Sequence, residues 1–272
     1  MSDLPVLGAA MCVKHLAQHR DWLLELPRDL ELQDFHNWSL LDSGCDELIA
    51  DAKKLLDGHE GRVGIHGPFW NMDLAAGDPL FQEVVRKRLD KGLDACAKMG
   101  GDHMVIHSPY TIWDHNNLAT YDGARQVKLD MIHANLKGAV AKAEDIGCVM
   151  VLENIEDLDP DFRLDIVKSF NSEALAVSID TGHAHYMHVS HGAPPVDCFI
   201  KSAGNALEHL HIQDVDGYAD RHWNPGEGAI AWEPVFSALG KLESNPRLII
   251  EVMDETKLRK GADYLVNLGV AR

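Results

Sequence analysis

The sequence predicts a (β/α)8 TIM barrel on three observations. Eight short apolar runs alternate with stretches of helical spacing, several runs are apolar almost without interruption, and the polar exceptions gather at their C-terminal ends. The runs are Pro5–Met11, Asp29–Phe35, Arg62–Pro68, His103–Pro109, Cys148–Ile155, Leu175–His183, Leu207–Val215 and Arg247–Met253. Helical spacing covers Val13–Leu26, Glu47–Leu56, Pro79–Met99, Tyr121–Ile146, Asp161–Ser169, Pro195–Ala203, Glu233–Leu242 and Asp254–Leu268. Gly100-Gly101 and Gly147 stand where a helix is expected to stop and a buried strand to begin. VMVLENI and LIIEVM suit parallel strands covered on both faces. A doubly wound open sheet accommodates the same alternation and stays as the second architecture. No linker-like composition shift interrupts the chain, so residues 1–272 read as one domain.

Composition narrows the partners. With 43 acidic against 25 basic residues the net charge is −18, a field that repels polyanions, so nucleic acid is disfavoured. The chain has no apolar run long enough to span a bilayer, and its start lacks a basic segment followed by an apolar core. A soluble cytoplasmic protein with no membrane partner is expected, and a homo-oligomer stays open. Cys12, Cys45, Cys96, Cys148 and Cys198 form no CxxC pair and read as reduced core thiols.

The residues that carry chemistry sit at one place in each unit: His66 in GIHGP, His107 in VIHSP, Glu153 in VLEN, Asp180 and His183 in SIDTGH, His211 in LHIQD and Glu251 in IIEV. In a barrel these strand ends converge on the face where active sites are built. Buried carboxylates and imidazoles are costly without partners, and shared metal ions satisfy many at once. Glu153 and Glu251 follow apolar residues directly, so a metal or an ion pair must hold them. His66 and His107, each followed closely by proline, also fit satisfied turn histidines.

The segment Leu207–Trp232 is the densest. His211 would sit where a strand opens into a loop, and Asp220 and His222, two apart in an extended segment, would share one face and one cation. Asn224-Pro225-Gly226-Glu227-Gly228 then turns the chain. His185, His188 and His191 are assigned to a helix start or loop without a site role. Trp70, Trp113 and Trp223 could stack on a sugar or cap the core, and Trp113 is taken as a substrate contact. Glu31 in ELQDF would add a substrate hydrogen bond or a rim ion pair.

SIDTGHAH and HIQDVDGYADRHWNPGEGAIAW resemble the motifs of the sugar phosphate isomerase/epimerase group of xylose-isomerase-like barrels, to which the endonuclease IV family also belongs. The resemblance covers essentially the whole chain. In the epimerase branch it implies one divalent ion, commonly Mn²⁺, on Glu153, Asp180, His211 and Glu251. In the endonuclease IV branch it implies three Zn²⁺ ions: His66 and His107 with Glu153, then Asp180, His211 and Glu251, then His183, Asp220 and His222. The cofactor expectation is therefore Mn²⁺ or Zn²⁺, more than one ion being allowed.

Two mechanisms follow. In the first, metal-dependent isomerisation or epimerisation of a sugar, keto-sugar or related polyol, Glu153 and Glu251 exchange the proton and His183 orients a substrate oxygen. In the second, a trinuclear zinc centre hydrolyses a phosphoester, as an apurinic/apyrimidinic endonuclease does, and Glu153 bridges metals. A non-catalytic sugar-binding or scaffold barrel is a third reading.

Overall fold

Residues 4–272 are described by the computed structural model. The strands are β1 (Gly8–Met11), β2 (Leu30–Leu32), β3 (Val63–His66), β4 (His103–His107), β5 (Val149–Glu153), β6 (Leu175–Asp180), β7 (Leu207–Ile212) and β8 (Arg247–Ile250). Each pairs in parallel with its sequence neighbour, and β8 pairs back onto β1, so the barrel is closed and the open-sheet alternative falls. The helices are α1 (Val13–Glu25), α2 (Trp38–Ser43), α3 (Asp46–Leu55), α4 (Pro79–Met99), α5 (Ile112–Asn117), α6 (Ala124–Ile146), α7 (Asp161–Phe170), α8 (Thr181–His191), α9 (Val196–Ala203), α10 (Trp232–Leu239) and α11 (Leu258–Asn267). The expectation of one domain over 1–272 falls in part on residues 1–3, which lie outside the described residues. Among the described residues no helix is long and apolar enough to cross a membrane.

The period of two along each strand sorts the side chains. Met104, Ile106, Met150, Leu152, Val177, Ile179, Leu210 and Ile212 join the large core between barrel and helices. The alternate positions form a separate interior, in which Val105, Val151 and Ala176 make a small apolar cluster. Many of the other interior positions are polar: Glu31, His103, Ser178, His209 and His211 are all fully buried. A barrel centre is normally filled by branched apolar residues, so this interior is unusual for its architecture.

Seven of the eight strands end two or three residues before their apolar runs, the first ending with its run at Met11. In Leu175–His183 the strand stops at Asp180, whose Oδ1 accepts the His183 amide at 2.6 Å and caps α8. The run of histidines that follows is helical, with His185, His188 and His191 on α8. Of the five cysteines, all free, Cys45, Cys96 and Cys148 are buried as expected. Cys12 instead lines the mouth, where burial, then Asp34 and Glu255, push its thiol up to about 12.

Behind β5 and β6, Arg163 of α7 is fully buried and donates to the carbonyls of Leu152 and Ser178, next to Glu153 and Asp180. Its Nε lies 3.3 Å from Asp157 Oδ1, and Asp157 is also fully buried. Replacing Arg163 by Met removes one partner of a buried pair, and unfolding free energy is expected to fall by about 3–5 kcal/mol in denaturant titration.

Candidate metal centre at the barrel mouth

Strand register decides which polar side chains meet. His107 is the register partner of Glu153, and Asp180 of His211. Donor atoms of Glu153, Asp180, His211 and Glu251 lie within 4.8 Å of one another, as do those of His66, His107 and Glu153, and those of His183, Asp220 and His222. Glu153 belongs to two of these groups. Its Oε1 lies 2.8 Å from His211 Nδ1, and its Oε2 lies 3.5 Å from His107 Nε2 and 3.8 Å from His66 Nε2.

The surroundings fix how each group is presented. Asn154 accepts the Asp180 amide at 2.8 Å and donates to the Asp180 carbonyl at 3.1 Å, which clamps the end of β6. The Asn154 carbonyl lies 2.9 Å from His183 Nδ1, so that nitrogen carries the proton and Nε2 faces Asp220 at 3.3 Å. The Gly67 carbonyl holds His66 Nδ1 in the same way at 2.9 Å, leaving Nε2 opposite His107 Nε2 at 3.4 Å. His211 Nε2 lies 2.9 Å from Glu31 Oε1, so its Nδ1 is the atom offered to the mouth.

The loop after β7 hangs on Asp214, which is fully buried. Its carboxylate accepts the amides of Gly226 and Ile230 and the indole N–H of Trp232. Gly228 passes so close that an added Cβ would lie 2.4 Å from Asp214 Oδ1. This is why the turn is built from glycine.

These donor sets fit divalent cations. Glu153 Oε2 and Asp180 Oδ2 are buried and make no hydrogen bond, the arrangement expected of atoms aimed at an ion. Electrostatics agree. Burial opposes a charged His183, but Asp180, then Asp220 and Glu153, outweigh it and hold the imidazole well above its usual pKa. Burial likewise opposes a charged His222, yet Glu251, Asp220 and Asp180 raise it to about 9. The mouth therefore draws positive charge, which bound cations would supply in place of protons. Burial keeps His107 neutral, down to about 3.

The family model described as "Xylose isomerase-like TIM barrel" matches residues 27–268. The chain belongs to this family. An uncharacterized protein of Methanocaldococcus jannaschii is 25% identical over 230 residues, 80% of this chain and 75% of that protein. Fructoselysine 3-epimerase of Escherichia coli O157:H7 is 33% identical over 99 residues, 35% of this chain and 34% of the enzyme. Among solved structures, a D-tagatose 3-epimerase-like protein superposes with a TM-score of 0.75 at 22% identity, covering 98% of this chain and 100% of that one. A Thermus thermophilus protein soaked with ZnCl2 superposes with a TM-score of 0.69 at 24% identity, covering 98% of this chain and 99% of that one.

Three expectations about this xylose isomerase-like barrel need correction. Glu31 is not on the rim: it points into the sealed interior, where it meets His103, His209 and His211 rather than substrate. Trp113 lies on α5, 59% exposed and outside the mouth cavity, whereas Trp70 lines that cavity with Phe69. Asp220 and His222 do meet, at 3.1 Å, but through a turn rather than an extended segment, because His222 has a left-handed φ of 47°. That turn is held by the His222 amide donating to Gln213 Oε1 and by the Met253 amide donating to the His222 carbonyl.

Sequence reasoning passed over Gln33, Gln213, His103 and His209. The signal for His209 was present: in His209-Leu210-His211 the two imidazoles share one strand face. The glutamines carried none, since the bonds that bring them into the mouth, Gln33 to Glu251 and Gln213 to Asp180, join residues distant in the chain.

Asp180 gives the pH dependence. Burial, with Glu153 and Glu251 adding to it against His183, raises its carboxyl to about 6. Below that pH a proton competes with any ion at this cluster, and above it the ligand is ionised. Divalent-ion affinity in calorimetry is expected to rise with pH through the neutral range as His211 loses its proton, because burial is outweighed there by Glu251, Glu31 and Glu153, which hold that imidazole well above its usual range, and to fall more steeply below about pH 6, where Asp180 is protonated too.

Proposed function

We propose that the protein is a metal-dependent sugar isomerase or epimerase, acting through one barrel domain on a neutral keto-sugar or related polyol. The observation that carries this reading is the lining of the mouth cavity, about 410 Å³ in volume. It presents His36, Phe69, Trp70 and Met253 beside Glu153, His183, Asp220, His222 and Glu251, with no Lys or Arg among its described residues. Aromatic faces and hydrogen-bonding carboxylates suit sugar C–H and O–H groups. The sugar epimerases among similar structures and the fructoselysine 3-epimerase segment support the same class.

Glu153, Asp180, His211 and Glu251 would hold the principal ion. When bound, a divalent cation supplies Lewis acidity that makes the C–H beside a substrate carbonyl more acidic. The chain supplies the rest. Glu251 takes the proton on one face of the substrate and Glu153 returns one, with Gln33 donating to Glu251 Oε1 at 2.9 Å to keep its other oxygen turned to the mouth. His183 Nε2 orients a substrate oxygen, and Phe69 and Trp70 shield one side of the cavity from water.

Glu153 also favours a second reading. A carboxylate shared by two clusters is the form a metal bridge takes, and with all three clusters filled by Zn²⁺ the mouth would suit phosphoester hydrolysis.

A panel of ketoses incubated in D2O with the metal-loaded protein decides between them. Deuterium at the carbon beside the carbonyl is the expected result, and Glu251→Gln should lower its rate by about 10²–10⁴-fold. Absence of exchange across the panel, together with chelator-sensitive incision of an abasic-site oligonucleotide, would replace this reading with the hydrolytic one.

A further inference from the structure

The barrel interior holds a second polar set that the mouth chemistry does not use. Glu31 of β2, His103 of β4 and His209 of β7 are fully buried, and their donor atoms lie within 4.8 Å of one another. Glu31 Oε2 is 3.0 Å from His209 Nε2 and 3.4 Å from His103 Nε2. Donors around a tetrahedral zinc at about 2.0–2.1 Å stand about 3.3 Å apart, close to the 3.0 and 3.4 Å that separate Glu31 Oε2 from the two imidazoles.

Three features separate this set from a hydrogen-bonded trio. First, His209 Nε2 makes no hydrogen bond although the carboxylate oxygen is only 3.0 Å away. The two atoms are close but misaligned, as neighbouring ligands of one ion are. Second, the outer nitrogen of His209 has a partner, Ser178 Oγ lying 2.8 Å from its Nδ1, whereas His103 Nδ1, 3.6 Å from Asp102 Oδ1, makes no hydrogen bond. With the Ser178 hydroxyl accepting from Nδ1, the Nε2 lone pair of His209 is left free to ligate. Third, β3 makes room. A Cβ on Gly64 would stand 2.0 Å from the His103 ring, so the glycine yields its inward space to the imidazole.

We propose that Glu31, His103 and His209 form a separate, closed metal site inside the barrel, selective for zinc-type cations, with a trapped water completing the coordination. Two imidazoles and one carboxylate match that preference. The remaining oxygen, Glu31 Oε1, lies 2.9 Å from His211 Nε2 and accepts from Gln33 Nε2 at 3.0 Å, so the interior ion would be joined to the mouth through one carboxylate. The inference does not depend on the reaction proposed for the mouth.

The test uses full-length protein expressed in zinc-supplemented medium and purified without chelator, with diffraction data collected on both sides of the zinc edge. The expected result is an anomalous peak bonded to Glu31 Oε2, His103 Nε2 and His209 Nε2. No peak there, whatever the mouth holds, overturns the inference. His209→Asn should lose one zinc per chain while the mouth keeps its ions; if that variant fails to fold, the wild-type map still decides. An interior peak beneath an empty mouth supports this site and counts against the proposed reaction, so the two fail separately.

Discussion

The contact between Glu31 and His211 governs the mouth from below. A carboxylate sealed in the barrel has no water, so burial drives its pKa up, yet the imidazoles of His211, His103 and His209 outweigh burial and hold it well below the usual range. Glu31 therefore stays charged. That charge fixes which nitrogen of His211 carries a proton and which faces the mouth. Through Gln33, which donates to both Glu31 and Glu251, the same carboxylate also bears on the orientation of Glu251, 3.4 Å from His211. Two mouth groups thus answer to one buried anion that never reaches solvent.

Closure of the barrel is what makes this control available. Register partners bring His107 beside Glu153 and Asp180 beside His211 without help from loops. Arg163 and Asn154 then lock the ends of β5 and β6 from behind, on the carbonyls and amides that flank the two carboxylates. The cost is a polar interior in place of branched apolar layers, tolerated because each buried group faces another of opposite demand.

Much of this was legible in the chain itself. Strand ends are where a period-two pattern breaks, so His66, Glu153, Asp180 and Glu251 were visible as polar residues behind apolar ones. Glu31 broke a pattern too, but one residue in ELQDF cannot say whether it is the rim or the centre of a barrel; the answer depends on strand stagger, which only the folded register supplies. Trp113 misled for a related reason. Its distance past β4 suited the mouth, but the Thr111–Asp114 capping box starts α5 there and carries the ring outward. The meeting of Asp220 with His222 was foreseen through the wrong backbone, since a left-handed histidine leaves no mark in composition.

That left-handed residue also divides the mouth by rigidity. His66, His107, Glu153, Asp180 and His211 ride on hydrogen-bonded strands, whereas Asp220 and His222 depend on a turn pinned by Gln213 and by the backbone of Met253. Donors on the barrel wall are preorganised by strand pairing, whereas those on the turn rest on a few hydrogen bonds to residues elsewhere in the chain. The mouth is therefore graded rather than uniform, and any ions it took would be held most firmly at the wall and exchanged most readily at the outer edge, without refolding the barrel.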